Sequence, residues 1–221
     1  MTPRIITVDG AAGSGKTTLG RRLSEELQLP FLDTGLFYRA VMVAAVRQGI
    51  REVDEQSMTE LARSTTIEIN TDGGDRSWKV RVDGIDAAET LRDPANAILL
   101  AEISQVAGVR RALLDPQRHA GAHGCVAAGR DCGTVIFTEA KPKFFLQAPA
   151  EVRTARRSAQ LARAGGDATK SSVEKDVVER DAIDRHSLGI ADDAHIIDTS
   201  QMDAEATFAH ALAICQQENR P

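Results

Sequence analysis

The feature that most constrains this chain is Gly10-Ala11-Ala12-Gly13-Ser14-Gly15-Lys16-Thr17, which meets every fixed position of the pattern GxxxxGK[ST]. An apolar run, Ile5 to Val8, precedes it, and Leu19, Leu23 and Leu27 follow at helical spacing. Strand, glycine turn and helix in that order are what a phosphate-binding loop requires. The glycines let successive backbone N–H groups turn inward around phosphate oxygens, and the helix adds the positive end of its dipole. Residues Gly10, Ala11, Ala12, Gly13, Ser14, Gly15, Lys16, Thr17 and Thr18 are therefore expected to hold a nucleotide triphosphate. Lys16 would reach the β- and γ-phosphates, and the Thr17 hydroxyl would bind Mg²⁺. A chance glycine turn at a strand-to-helix junction is the competing reading, and the correct flanks weigh against it. The loop leaves the acceptor open, whether water, a protein or a small molecule.

Further short apolar runs lie at Phe31 to Leu32, Cys125 to Ala128, Lys143 to Leu146 and His195 to Ile197. Most are followed by helical periodicity: Leu36 to Gln48, ended by Gly49 at C′; Ala150 to Ala164; Asp203 to Gln217. Pro94 to Val106 reads as a helix with Asp93 as N-cap, and Ser171 to Arg185 as another. Alternating strand and helix implies an α/β fold around a parallel sheet with right-handed crossovers. Two stretches break the rhythm. Thr66 to Asn70 and Trp78 to Val82 alternate with period two around Asp72-Gly73-Gly74-Asp75, so residues 64–91 read as a small antiparallel insertion, with Trp78 expected to pack it. Gly165-Gly166 sits between two highly charged helices and reads as a mobile helical hairpin or a solvated loop.

Composition narrows the class of function. The 221 residues, 42% hydrophobic and 27% charged, suit a soluble chain of one or two modest domains. A net charge of −5 argues against binding a nucleic-acid polymer, so any basic chemistry is local. Three cysteines, Cys125, Cys132 and Cys215, have no metal spacing and suit a reducing compartment. With neither a signal-like start nor an apolar run of membrane-spanning length, a cytoplasmic protein without membrane contact is expected, and a monomer is the default. His119, His123, His186 and His195 also lack metal spacing and read as surface or structural residues.

The acceptor is addressed by residues beyond the loop. Cys125 to Ala128 runs into Gly129-Arg130-Asp131-Cys132-Gly133-Thr134, an arginine and an acid at a strand's C-terminal end, where open α/β sheets bind ligands. Arg130 can clamp a phosphate bidentately, while Asp131 can accept from an amino group or hold metal-bound water. A structural Arg–Asp pair is the alternative there. The second strand delivers Asp33-Thr34-Gly35, then Tyr38-Arg39 a helical turn on. Arg110, the cluster Arg153, Arg156, Arg157, and Glu179-Arg180-Asp181 with Asp184 and Arg185 complete the candidates. For the last two groups, taken singly, surface salt-bridged helices are the simpler reading.

Taken in order, the phosphate loop, Asp33-Thr34-Gly35-Leu36-Phe37-Tyr38-Arg39, Leu91-Arg92, Val109-Arg110, Gly129 to Thr134, and Arg180 with Asp184 resemble the bacterial cytidylate kinases. The resemblance spans nearly the whole chain and implies transfer of the γ-phosphoryl group of ATP, with Mg²⁺, to CMP or dCMP. It implies a five-stranded parallel P-loop kinase core over residues 1–63 and 92–221, a monophosphate-binding insertion at 64–91 and a helical lid at 156–178. By the same resemblance, Thr34, Arg39 and Arg130 would hold the acceptor and its phosphate. Arg110 and Asp131 would read cytosine, and Arg180 and Asp184 would contact the pentose. Lys16, Arg130, Arg153 and Arg157 would be catalytic, the last two as lid arginines. Three departures stand out: Ala101 where the family has a base-recognising Ser, Ser187 where it has an Arg, and Asp115-Pro116 interrupting a helix that the family runs straight. Cys132, where the family commonly has Met, reads as packing. A kinase for UMP or another small acceptor, and a nucleotide-binding regulator without transfer, are the rival functions.

Overall fold

The structure is a computed structural model, and it describes residues 3–71, 78–163, 173 and 188–218. These divide into two compact units, Met1–Leu32 with Gly121–Pro221, and Asp33–Ala120. The first is built on a five-stranded sheet and the second holds a three-stranded sheet. A solvated or mobile hairpin at Gly165-Gly166, the helix Ser171 to Arg185 and the packing of the Trp78 side chain lie outside the described residues.

In the first unit, β1 (Ile5–Gly10) is followed by α1 (Lys16–Leu27) and β2 (Phe31–Asp33). After the second unit the chain returns as β6 (Cys125–Gly129), β7 (Lys143–Gln147), α7 (Ala150–Arg163), β8 (Ala194–Asp198) and α8 (Ala204–Gln217). The strand order is β2-β6-β1-β7-β8, with β1–β6, β1–β7 and β7–β8 parallel. Strands covered on both faces are expected to be apolar throughout. β6 obeys, being buried along its length, but β1 alternates: Ile6 and Val8 project to one side, Thr7 and Asp9 to the other, and all four are buried. α1 buries Leu19 and Leu23 and leaves Leu27 half-exposed. The Asp203 carboxylate caps α8 by accepting from the Ala206 amide at 2.7 Å.

The second unit comprises α2 (Gly35–Arg47), α3 (Glu55–Ser64), β3 (Ile67–Thr71), β4 (Trp78–Val82), β5 (Ile85–Asp86), α4 (Ala88–Arg92), a 3₁₀ turn Pro94–Asn96, α5 (Ala97–Gln105) and α6 (Ala107–Ala120). The period-two segments pair antiparallel, Ile67 opposite Val82 through Thr71 opposite Trp78. Gly49 closes α2 with φ 72° while the Ile50 amide returns to the Ala45 carbonyl at 2.9 Å, so it stands at C′. α2 is tied to the small sheet by Arg47, which donates to the Val82 and Asp86 carbonyls at 2.9 and 2.7 Å.

Two helix readings are corrected. The single helix from Pro94 becomes a 3₁₀ turn and then α5, because the Asp93 carboxylate takes the Ala95 amide at 2.9 Å and tightens the first turn. Asp115-Pro116 does not interrupt α6, which runs through Pro116. The missing donor is tolerated because Leu113 and Gln117, on either side, are fully buried and tertiary packing outweighs local propensity.

Replacing the buried Leu23 with Ala should lower unfolding free energy by about 2–5 kcal/mol, the range for truncating a core leucine. Leu27→Ala, a turn further along α1 and half-exposed, should cost clearly less. Urea unfolding of both variants measures the difference.

Candidate active site

The phosphate loop leaves the C-terminal end of β1 and enters α1 with Gly15 as N-cap at φ 102°. Glycine is required at its first position for two reasons: Gly10 has φ 145°, and a Cβ there would land on the Leu146 carbonyl oxygen of β7. Ser14 and Lys16 are buried in the loop, and Lys16 Nζ donates to the Ala11 carbonyl at 2.6 Å. An ammonium carries three donors in all. Thr17 and Thr18 are exposed on the first turn of α1. The Thr17 hydroxyl is a hard oxygen of the kind Mg²⁺ accepts when nucleotide phosphates supply the rest of its shell. No cluster of three acidic, His or Cys side chains suited to a protein-only metal cage occurs among the described residues.

Beside the loop, β6 delivers the second cluster. Asp9 and Gly129 are paired in register across β1 and β6, so the Arg130-Asp131 turn emerges next to the phosphate loop. Beyond it, Cys132–Ile136 form a single π-helical turn in which the Asp131 carbonyl accepts from the Val135 and Ile136 amides at 2.9 and 3.2 Å. Asp9 anchors this turn. Its Oδ1 accepts from the Cys132 amide at 2.9 Å and its Oδ2 from the Gly133 amide at 2.7 Å. Burial pushes the Asp9 carboxyl above its ordinary value of 3.8, the two amides pull it back, and the nearby Asp131 charge pushes it up again. Gly133 lets the turn lie close to β1 and β7, since a Cβ there would come within 2.9 Å of Thr7 Oγ1 and 3.2 Å of the Lys143 side chain. Reading the sequence missed Asp9; the available signal was a lone acid within an otherwise apolar strand.

The α7 arginines divide. Arg153 is buried and donates through Nε to the Ala148 carbonyl at 3.0 Å and through Nη1 to the Ala12 carbonyl of the phosphate loop at 3.1 Å. Arg156 donates to Thr199 Oγ1 at 2.9 Å and to the Thr199 and Met202 carbonyls at 2.6 and 3.3 Å, which fastens α7 to the segment after β8. These hydrogen bonds tie Arg153 and Arg156, on their charged helix, to backbone carbonyls and a hydroxyl. Arg157 is half-exposed.

In the second unit, Asp33 Oδ1 accepts from the Gly35 amide at 3.0 Å and starts α2, and the buried Thr34 gives its carbonyl to Gln117 Nε2 at 3.3 Å. Arg39 Nη1 donates to the Leu91 carbonyl at 3.0 Å. Arg110 lies over the Tyr38 ring, 5.6 Å from its centroid, and donates to the Ser104 carbonyl at 3.3 Å. Ser104 Oγ in turn donates to the Ala101 carbonyl at 2.7 Å. Arg180, Asp184, His186 and Ser187 lie outside the described residues.

The three cysteines are buried and outside any disulfide, and burial pushes Cys125 up to about 12 and Cys215 to about 11, leaving both protonated near neutrality.

Known proteins resemble this chain over nearly its whole length. The family model described as cytidylate kinase matches residues 6–217. The cytidylate kinase of Pelotomaculum thermopropionicum is 38% identical over 213 residues, covering 94% of both chains. That of Corynebacterium glutamicum is 35% identical over 218 residues, covering 96% of this chain and 94% of its own. Among solved structures, an uncharacterized protein from Eubacterium ventriosum shares the fold, with a TM-score of 0.51 at 13% identity, covering 98% of this chain and 99% of that one.

Arg156→Met should cost about 1.5–3 kcal/mol of stability by stripping charge-assisted hydrogen bonds from α7, while nucleotide affinity stays nearly unchanged. Denaturant unfolding and a nucleotide titration on the same preparation measure both.

Proposed function

The chain belongs to the cytidylate kinase family, and on that premise we propose that it transfers the γ-phosphoryl group of ATP to CMP or dCMP, giving ADP and CDP or dCDP. The observation that carries the reading is the register of β1 against β6, which sets a phosphate loop beside an Arg–Asp turn at the carboxyl ends of the strands. A phosphate-binding arginine next to a triphosphate loop suits an acceptor that already carries phosphate.

The reaction needs little covalent help from the protein. The acceptor phosphate is an ionised nucleophile at neutral pH, so positioning and neutralisation carry the catalysis and no strong general base is required. Backbone amides of Gly10 to Thr18 would hold the donor phosphates, with Lys16 supplying charge at the β- and γ-positions. Mg²⁺, held by Thr17 and the phosphates, would offset charge on the transferring group. Arg153 brings a buried guanidinium to the loop itself, and with Arg157 it would stabilise the phosphoryl group in flight. Arg130 and Arg39 would grip the acceptor phosphate, with Thr34 beside the nucleotide.

Cytosine has a donor at N4 and acceptors at N3 and O2, while uracil reverses the polarity at positions 4 and 3. An acid at Asp131 and a cation at Arg110 fit the cytosine pattern. Arg180 and Asp184 would contact the pentose, and the 64–91 insertion would serve the acceptor side. A lid over 156–178 would exclude water, the competing acceptor. A cytoplasmic monomer acting on free nucleotides, with no nucleic-acid polymer or membrane involved, completes the reading; the net charge of −5 weighs against a phosphate-neutralising surface. Among the described residues no helix is long and apolar enough to cross a membrane.

A coupled assay of ADP release with CMP, dCMP, UMP and AMP tests the assignment. CMP and dCMP should give the highest kcat/KM, and UMP or AMP as the best acceptor would overturn the cytosine assignment. Lys16→Ala should reduce kcat by about 10² or more, the scale for a main electrostatic donor. Arg130→Ala should raise KM for CMP by about one to two decades while KM for ATP changes little, as expected when a charge-assisted hydrogen bond to the acceptor is lost. An equal rise for ATP would move Arg130 to the donor side.

A further inference from the structure

We propose that Asp9 is a positioning residue for the acceptor: by accepting the Cys132 and Gly133 amides, it holds Arg130 and Asp131 where the acceptor nucleotide's phosphate and base meet them. The proposal rests on the reading that Arg130 and Asp131 contact the monophosphate.

Asp9 directly precedes the phosphate loop, yet its carboxylate is committed elsewhere. Both oxygens face the turn after β6, at 2.9 and 2.7 Å from the amide nitrogens. These amides belong to the two residues that follow Asp131, and the Asp131 carbonyl closes the same π-helical turn on Val135 and Ile136. The backbone that orients Arg130 and Asp131 is thus fixed from one side by the strand, through Gly129 in register with Asp9, and from the other by the Asp9 carboxylate.

A purely structural duty does not require a charge here. Burial raises the Asp9 carboxyl, so ionising it inside the unit is costly, and a neutral packed residue would fill the space at lower cost. The turn is also shaped to admit it. A Cβ at Gly133 would stand 2.9 Å from Thr7 Oγ1 and 3.2 Å from the Lys143 side chain, so an added methyl would press the turn away from β1 and with it the amide that Oδ2 accepts.

Asp9→Asn keeps the size but turns an amide donor toward one of two backbone donors. With the wild type alongside, it should raise KM for CMP by about tenfold or more, leave KM for ATP nearly unchanged, and reduce the kcat/KM advantage of CMP over UMP by about tenfold. CMP titrated without ATP should show the same weakening. Should Asp9→Asn fail to fold, Gly133→Ala wedges the same amide away and should give the same split, which Thr7→Ala in the Gly133→Ala background should partly reverse. A rise in KM for ATP alone, or a loss of kcat with both KM values and base preference intact, would overturn the proposal. A wild type that prefers another monophosphate overturns the cytosine reading instead, and the KM split is then read on that acceptor.

Discussion

The parallel pairing of β1 with β6 on one side and β7 on the other is the constraint on which the rest depends. It aligns Gly10 with Leu146 and Asp9 with Gly129, so that the chain leaves neighbouring strands along the carboxyl-terminal edge of the sheet. The approach is close enough that a Cβ at Gly10 would strike the Leu146 carbonyl oxygen. From that edge emerge the phosphate loop, the Arg130-Asp131 turn and, soon after β7, the helix that sends Arg153 to the Ala12 carbonyl. Open α/β sheets bind ligands at the carboxyl ends of their strands because crossovers free those ends and aim helix N-termini at them.

The edge is electrostatically expensive. A lysine, an arginine and two acids are buried around it, Lys16, Arg153, Asp9 and Asp131. Asp9 shows the cost in its titration. Its folded-state pKa is raised, so the stability it contributes is complete below the ordinary 3.8 and is lost as pH rises through the raised value. At neutral pH an ionised Asp9 therefore works against folding, a strain to be expected where function outweighs stability. Lys143, which is also buried, is offset directly: it donates to Asp193 at 2.8 Å and holds that carboxyl below its usual range.

Much of this was legible because the motifs are local. The glycines, Lys16 and Thr17 announce themselves by spacing alone, and the period-two segments announce the small sheet. Asp9 was hidden because its partners, Cys132 and Gly133, lie far along the chain and only the strand register brings them close. Arg153 and Arg156 sat on a charged helix whose pattern resembles a solvated face, and their carbonyl partners carry no side-chain signature. Pro116 misled in the other direction: a local rule predicted a break that the buried Leu113 and Gln117 override.

Direct passage of the phosphoryl group between two bound nucleotides is the central mechanistic claim, since positioning and charge are all that this edge is asked to supply. The most direct measurement is the stereochemical course at phosphorus, using ATP made chiral at the γ-position with oxygen isotopes and CMP as acceptor. One in-line displacement predicts inversion in the CDP formed. Retention would require two displacements through a phosphorylated enzyme and would contradict it.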